Sequence, residues 1–154
     1  MSDSGTHQST TPCPVKLHLV DGTEIDGTLW LLNDSGRAEG VVPLDVLLDG
    51  PRDFLAVGLK PTGSVLVSRN AIRTAEIGAD GPGVHDVVDA GASLDMITLH
   101  LDDGHEVTGV LRAVAREGFA RMSDVINEAG RFLSVGVGDQ VVLVAKTRVV
   151  RISF

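Results

Sequence analysis

Tyrosine is absent from the 154 residues of this chain, tryptophan occurs once and phenylalanine four times. Rings are the platform on which single-stranded nucleic acid stacks, so that mode of binding has little to work with. Any core must be built from Val, Leu and Ile. Cysteine is as scarce: Cys13 has no partner for an internal disulfide, and stability must come from packing. No hydrophobic run approaches membrane-spanning length. None precedes Cys13 that would mark a signal peptide or lipoprotein cleavage site. The expectation is a cytoplasmic protein with no membrane contact. Asn33-Asp34-Ser35 fits a glycosylation pattern that means nothing without export. Positive charge is short too, with 13 Lys and Arg against 21 Asp and Glu, a net −8. Such a chain gains little from general attraction to nucleic acid or anionic lipid. The deficit is uneven: residues 15–77 hold nine acids and six bases, 78–95 four acids and no base, and 96–154 seven of each.

What the chain does have is a passage written twice. Residues 99–111 repeat residues 17–29 with an offset of 82, sharing Leu, His, Leu, Asp, Gly, Glu, Gly and Leu at matching places. The match continues. Phe54-Leu-Ala-Val-Gly58 answers Phe132-Leu-Ser-Val-Gly136, Val65-Leu-Val67 answers Val142-Leu-Val144, and the closing segments 72–77 and 149–154 correspond. The offset falls from 82 to 78 and then 77, so length changes lie in the connections between elements.

Within each copy, apolar residues alternate as in half-buried strands. Strands are expected near 15–19, 24–32, 54–58, 65–67 and 72–77, with a short helix or turn at 43–50 matched by 122–130. Ser123 is a plausible cap for the second helix and Gly130 its end. If Leu17, Leu19 and Ile25 all face inward, the connection at Asp21-Gly22 holds an odd number of residues, and Leu19 lies opposite Ile25. Leu17 then faces Gly27 and Leu99 faces Gly109, inward glycines of the kind that let a strand bend sharply in a small barrel. The expected fold is mainly β: two tandem five-stranded small barrels, each with a short helix between its second and third strands. Residues 1–14 read as a disordered tail, 15–77 as the first barrel, 78–95 as an acidic Gly-rich linker and 96–154 as the second barrel. A unit of about 60 residues is marginal alone. The two barrels are therefore expected to pack on each other or on another chain.

Residues 15–29 and 97–111 resemble the first signature of the Sm-like family, which includes bacterial Hfq: an alternating strand, an Asp-Gly turn, and a strand with a bend glycine. Residues 65–72 and 142–149 look like its second signature, a strand running through a tight turn into the closing strand. The tandem arrangement is similar to bacterial proteins carrying one or two such repeats, and SH3-like barrels share the pattern. The resemblance implies RNA contacts in the turn before the last strand, at Arg69 and Asn70 and at Lys146 and Thr147.

Other candidates come from the residues themselves. Trp30, which alternation points outward, is a plausible interface anchor; the competing reading puts it beneath the helix of its own barrel. Arg112, Arg116, Arg121 and Arg131 form the densest basic region and could receive an acidic partner. His18 and His100 recur at matching positions, facing Asp26 and Thr108 in this register. His100, Asp102, His105 and Glu106 crowd one turn where a cation could sit. No nucleophile has a companion base, and Gly81-Pro82-Gly83 is a linker rather than a phosphate cradle. No catalytic residue, cofactor or small-molecule substrate is expected. The leading expectation is a non-enzymatic binding or assembly module that takes a protein partner or another copy of itself. An Sm-like RNA-binding protein is the alternative, disfavoured by the acidic charge, and a metal-binding protein the weaker one.

Overall fold

The computed structural model describes residues 9–37, 40–84, 92–93, 96–114 and 122–154. The first sequence copy forms β1 (Thr10–Leu19), β2 (Glu24–Leu32), helix α1 (Leu44–Leu48), β3 (Phe54–Leu59), β4 (Ser64–Ser68) and β5 (Ile72–Gly78). After the two-residue β6 (Ala92–Ser93), the second copy forms β7 (Met96–Leu101), β8 (Glu106–Leu111), the short β9 (Ala113–Val114), α2 (Met122–Glu128), β10 (Phe132–Val137), β11 (Gln140–Ala145) and β12 (Val149–Ser153). A 3-10 turn, Arg69–Ala71 or Lys146–Arg148, precedes the last strand of each copy. The fold is mainly β, as the alternation implies. In β2, Leu29 and Leu31 are buried while Trp30 between them is exposed.

Two expectations about the first hairpin need correction. First, β1 begins at Thr10 rather than near Val15, and residues 10–14 pair with β2 instead of trailing as a tail. Pro12 and Pro14 are compatible with this because β5 pairs with β1 only from Lys16 onward. Two residues apart, both prolines miss their N–H on the same side of the strand, and that side has no neighbour there among the described residues. Second, the register is shifted by two: Leu17 pairs with Ile25 and Val15 with Gly27, and in the second copy Leu99 pairs with Val107 and Ile97 with Gly109. A shift of two preserves which side chains face inward, so alternation alone does not distinguish the two registers. The turn chemistry does. Leu19 N–H donates to the Thr23 carbonyl at 2.8 Å, Asp21 Oδ1 accepts from Thr23 N–H at 2.9 Å, and Gly22 sits at φ +90°. That closes a three-residue loop, Val20-Asp21-Gly22, with the odd count the parity demands.

The bend glycines stand where a strand is crowded by its neighbour. A Cβ on Gly27 would lie 2.6 Å from the Gly58 carbonyl oxygen and from Val57 Cγ1. A Cβ on Gly109 would collide with the Gly136 carbonyl oxygen and lie 2.8 Å from Val135 Cγ1.

The ten longer strands form one antiparallel sheet in the order β12-β7-β8-β10-β11-β5-β1-β2-β3-β4, and β6 pairs with β9 apart from it. Among the described residues the ladder does not close within a copy. Instead it runs on from one copy to the other where β11 pairs with β5. Two core clusters flank that junction, and they are unequal. The first gathers Leu17, Leu31, Leu44, Leu48 and Ile72 from copy one, and also Phe132, Val141, Leu143 and Ala145 from copy two. The second draws only on copy two among the described residues, around Ile97, Leu99, Leu111, Val135 and Val144. The segment after β5 adds to the first core. Ala79 and Val84 pack on it, and Gly83 at φ +91° offers its carbonyl to Leu44 N–H at 2.8 Å. Residues 85–91 of the expected linker lie outside the described residues.

Candidate assembly surface

Alternation on three neighbouring strands of copy one assembles an outward apolar face. Trp30 on β2, Phe54 on β3 and Leu66 on β4 sit between buried Leu29 and Leu31, before Leu55, and between half-buried Val65 and buried Val67. They are 51%, 58% and 67% exposed. Trp30 therefore faces outward, and its indole lies beside Gly58, where a Cβ would stand in ordinary contact with Nε1 at 3.9 Å. Arg112 occupies the matching place in copy two. Its side-chain carbons lie over Gly136, and its backbone N–H donates to the Ser134 carbonyl at 2.8 Å. Arg116 and Arg121 lie outside the described residues.

In copy two the same face is covered. Phe132 and Leu143, the counterparts of Phe54 and Leu66, are 8% and 2% exposed because they close the core of copy one. Polar clips hold this junction at both ends. At one end Asp49, just after α1, accepts from Arg131 N–H at 2.9 Å. At the other, Arg73 on β5 pairs with Asp102, and its Nε lies 3.3 Å from Asp103. The Asp103 carboxyl is held below its ordinary value of 3.8, first by hydrogen bonds from the His105 side chain and backbone N–H, with the Arg73 charge adding to them. A cleft of about 380 Å³ opens beside Arg73, between His18 and Glu76 of copy one and His105 and Val107 of copy two.

The residues that the Sm resemblance singles out are engaged within the fold. Arg69 is buried and donates to the Gly50 carbonyl beyond α1, with Asp53 at 3.9 Å. Lys146 Nζ donates to the Ile126 and Ala129 carbonyls, each at 2.9 Å, at the end of α2. The repeated cation thus has a repeated role. Each meets backbone carbonyls where the chain leaves a short helix, Lys146 at the last turn of α2 and Arg69 two residues past α1, and the helix dipole favours positive charge there. Asn70 and Thr147 stand exposed in the adjoining turns.

The two-residue register shift also changes the partners of the histidines. His18 faces Glu24 and His100 faces Glu106, so the pair is repeated where unrelated partners were expected. His18 Nε2 lies 2.6 Å from Glu76, and His100 Nε2 lies 3.0 Å from the Ser153 hydroxyl. Asp102 is engaged by Arg73 and Arg148. Among the described residues no group of three or more His, Cys, Asp or Glu could hold a metal ion. No helix among them is long and apolar enough to cross a membrane.

Sequence reasoning missed the junction residues Phe132, Leu143, Asp49 and Arg73, although one signal was available. Residues 141–145 read Val-Val-Leu-Val-Ala without alternation, the mark of a strand covered on both faces, whereas the matching 64–68 read Ser-Val-Leu-Val-Ser. Compared with protein-family models, with curated proteins and with solved structures, the chain matches none of them.

Proposed function

We propose that this protein is a non-enzymatic assembly module: two small five-stranded barrels of Sm-like or SH3-like type, joined edge to edge and associating with protein through the strand edges at the ends of the sheet. One observation carries the reading. Among the described residues the strands at the two ends, β4 and β12, each pair with a single neighbour, and both expose large apolar side chains, Leu66 on one and Val150 on the other. An unpaired edge with apolar residues is a template for another strand, and main-chain hydrogen bonds then supply much of the affinity. The occupied state of Arg69 and Lys146 supports the same reading, since neither cation is held out toward a phosphate. So does Cys13, buried against the Pro82 carbonyl rather than presented as a nucleophile.

The test is the solution mass by light scattering, with and without bulk RNA and at two salt concentrations. A defined multiple of the 16.1 kDa chain, unchanged by RNA, is the expected result. A monomer that gains mass only with RNA, and loses it as salt rises, would overturn the reading in favour of RNA binding.

A further inference from the structure

We infer that the cleft at the junction of the two copies binds a small aliphatic ammonium ion, whose charge meets Glu76 and whose hydrocarbon body lies on Leu101, Val107 and Val142. The site is at the internal junction rather than at the free strand edges, and it does not depend on association through them.

Strand parity explains why a cleft opens there. On β5, Ala75 and Ile77 point into the core of copy one, so Thr74 and Glu76 point to the other side of the sheet. His18 of β1, paired with Thr74, joins them there. The ladder continues into β11, where Val142 lies opposite Glu76 and Val144 opposite Thr74, and both valines belong to the core of copy two. One face of one sheet is thus the polar exterior of copy one and the apolar interior of copy two. Arg73 ties the turn between β7 and β8 against this seam through Asp102 and Asp103. The space left between turn and seam is the cleft of about 380 Å³. Clefts of this size between two packed units are characteristic small-ligand sites.

The lining selects the occupant. Its deeper part is apolar, with Leu101, Val107 and Val142 from the second core and Leu19 from the margin of the first. That part favours a hydrocarbon body. The polar part supplies acceptors. Glu76 holds His18 Nε2 through Oε2 at 2.6 Å, and a carboxylate so engaged keeps further lone pairs for a second donor. Thr74 lines the cleft while only 7% exposed, and its hydroxyl takes part in no hydrogen bond among the described residues. Glu106, contributed by copy two, is more than half exposed at the same cleft.

The charge decides the sign of the ligand. Among the residues lining the cleft, one arginine stands against three carboxylates, and even with His18 and His105 both protonated the balance rises no higher than zero. The arginine is spent on Asp102 and Asp103, which leaves no cation for an anionic ligand. An ammonium ion with an apolar tail satisfies both parts of the lining. The arrangement is also single. Where copy one has Thr74 and Glu76, the matching positions of copy two hold Arg151 and Ser153, so one site per chain is expected.

The test titrates the full-length chain with hexylammonium, hexanol and hexanoate, three probes with the same tail and different charge, and follows amide chemical shifts. Hexylammonium should saturate one site per chain and shift Thr74, Glu76, Val107 and Val142. Hexanol should bind about tenfold more weakly and hexanoate not measurably. Glu76→Gln should lower the affinity for hexylammonium by about tenfold and leave that for hexanol unchanged, a split that general loosening of the fold would not produce. Because Glu76 also holds His18, a second variant, Glu106→Gln, changes only a more exposed carboxylate and should weaken hexylammonium by about twofold to fivefold. Hexanol or hexanoate binding as well as the amine would overturn the inference. So would amine-induced shifts scattered over carboxylates elsewhere on this acidic chain, affinities indifferent to both substitutions, or no shifts in the cleft at millimolar amine.

Discussion

A thiol enclosed by Leu29, Leu31 and the Pro82 carbonyl behaves as a small hydrophobe, and Cys13 is such a thiol. Burial pushes its pKa from 9.0 up to about 11. Above 9.0 the unfolded chain loses this proton while the folded chain keeps it. The stability that the neutral thiol contributes is therefore complete below 9.0 and declines as pH rises toward 11. At about pH 8 a chromogenic thiol reagent should label one cysteine per chain rapidly in denaturant and only slowly in the native protein. Fast native labelling would contradict the burial. Gly27 is a second single-residue constraint, and here the backbone is what crowds it. Alanine would place a Cβ 2.6 Å from a carbonyl oxygen of the next strand, which cannot move aside as a flexible side chain can. Gly27→Ala should cost about 1–3 kcal/mol. Gly78 has no heavy atom within 4 Å of the equivalent point and no positive φ. Gly78→Ala should accordingly stay within about 0.5 kcal/mol. Urea denaturation of the two variants separates a steric requirement from mere glycine content.

The elements owe their placement to capping and turn chemistry as much as to propensity. Helix α2 has seven residues, too short to hold in water unaided, and Lys146 anchors its last carbonyls to the turn before β12. Lys146→Met should destabilise the protein by about 1 kcal/mol and speed amide exchange in α2, because those carbonyls lose a charged donor. Unchanged exchange would return Lys146 to the pool of residues free to meet a ligand. This scale is also where the sequence was most legible. Alternation located the strands of both copies, the inward glycines marked real crowding points, and the demand for an odd-numbered turn was met by Val20-Asp21-Gly22. The register of that hairpin was legible only modulo two, because side-chain parity repeats every second residue while hydrogen-bond geometry in the turn selects one of the allowed values. The start of β1 was hidden by Pro12 and Pro14, which read as coil breakers until the open side of the strand is known. Arg69 and Lys146, which the resemblance singles out, both meet backbone carbonyls beside a short helix, an engagement that the sequence pattern does not reveal. Capping a helix and contacting RNA call for the same cation, and which of them it performs depends on where the helix C-terminus falls in space.

At the scale of the whole molecule, two copies of one sequence pattern make a single ladder, and pairing between strands as distant as β5 and β11 leaves no mark in local periodicity. The trace it does leave is compositional: the unalternated run 141–145, set against its serine-flanked counterpart 64–68. Because Leu143 and Phe132 belong to copy two in the chain but to copy one in the core, the halves share their stabilisation. Removing it should be felt by both. Leu143→Ala deletes a side chain that is 2% exposed and should cost about 2–5 kcal/mol. If the junction couples the copies, the whole loss appears as one cooperative transition at lower denaturant. Trp30 fluorescence, which reports copy one, should then move together with circular dichroism, which reports all the strands. If the copies were independent units on a tether, the loss would fall only on copy two, where the mutated residue lies in sequence. Trp30 would then keep its original midpoint while the circular dichroism curve split in two. Coincident midpoints before and after the substitution are expected, since copy one's core would be missing one of its own walls.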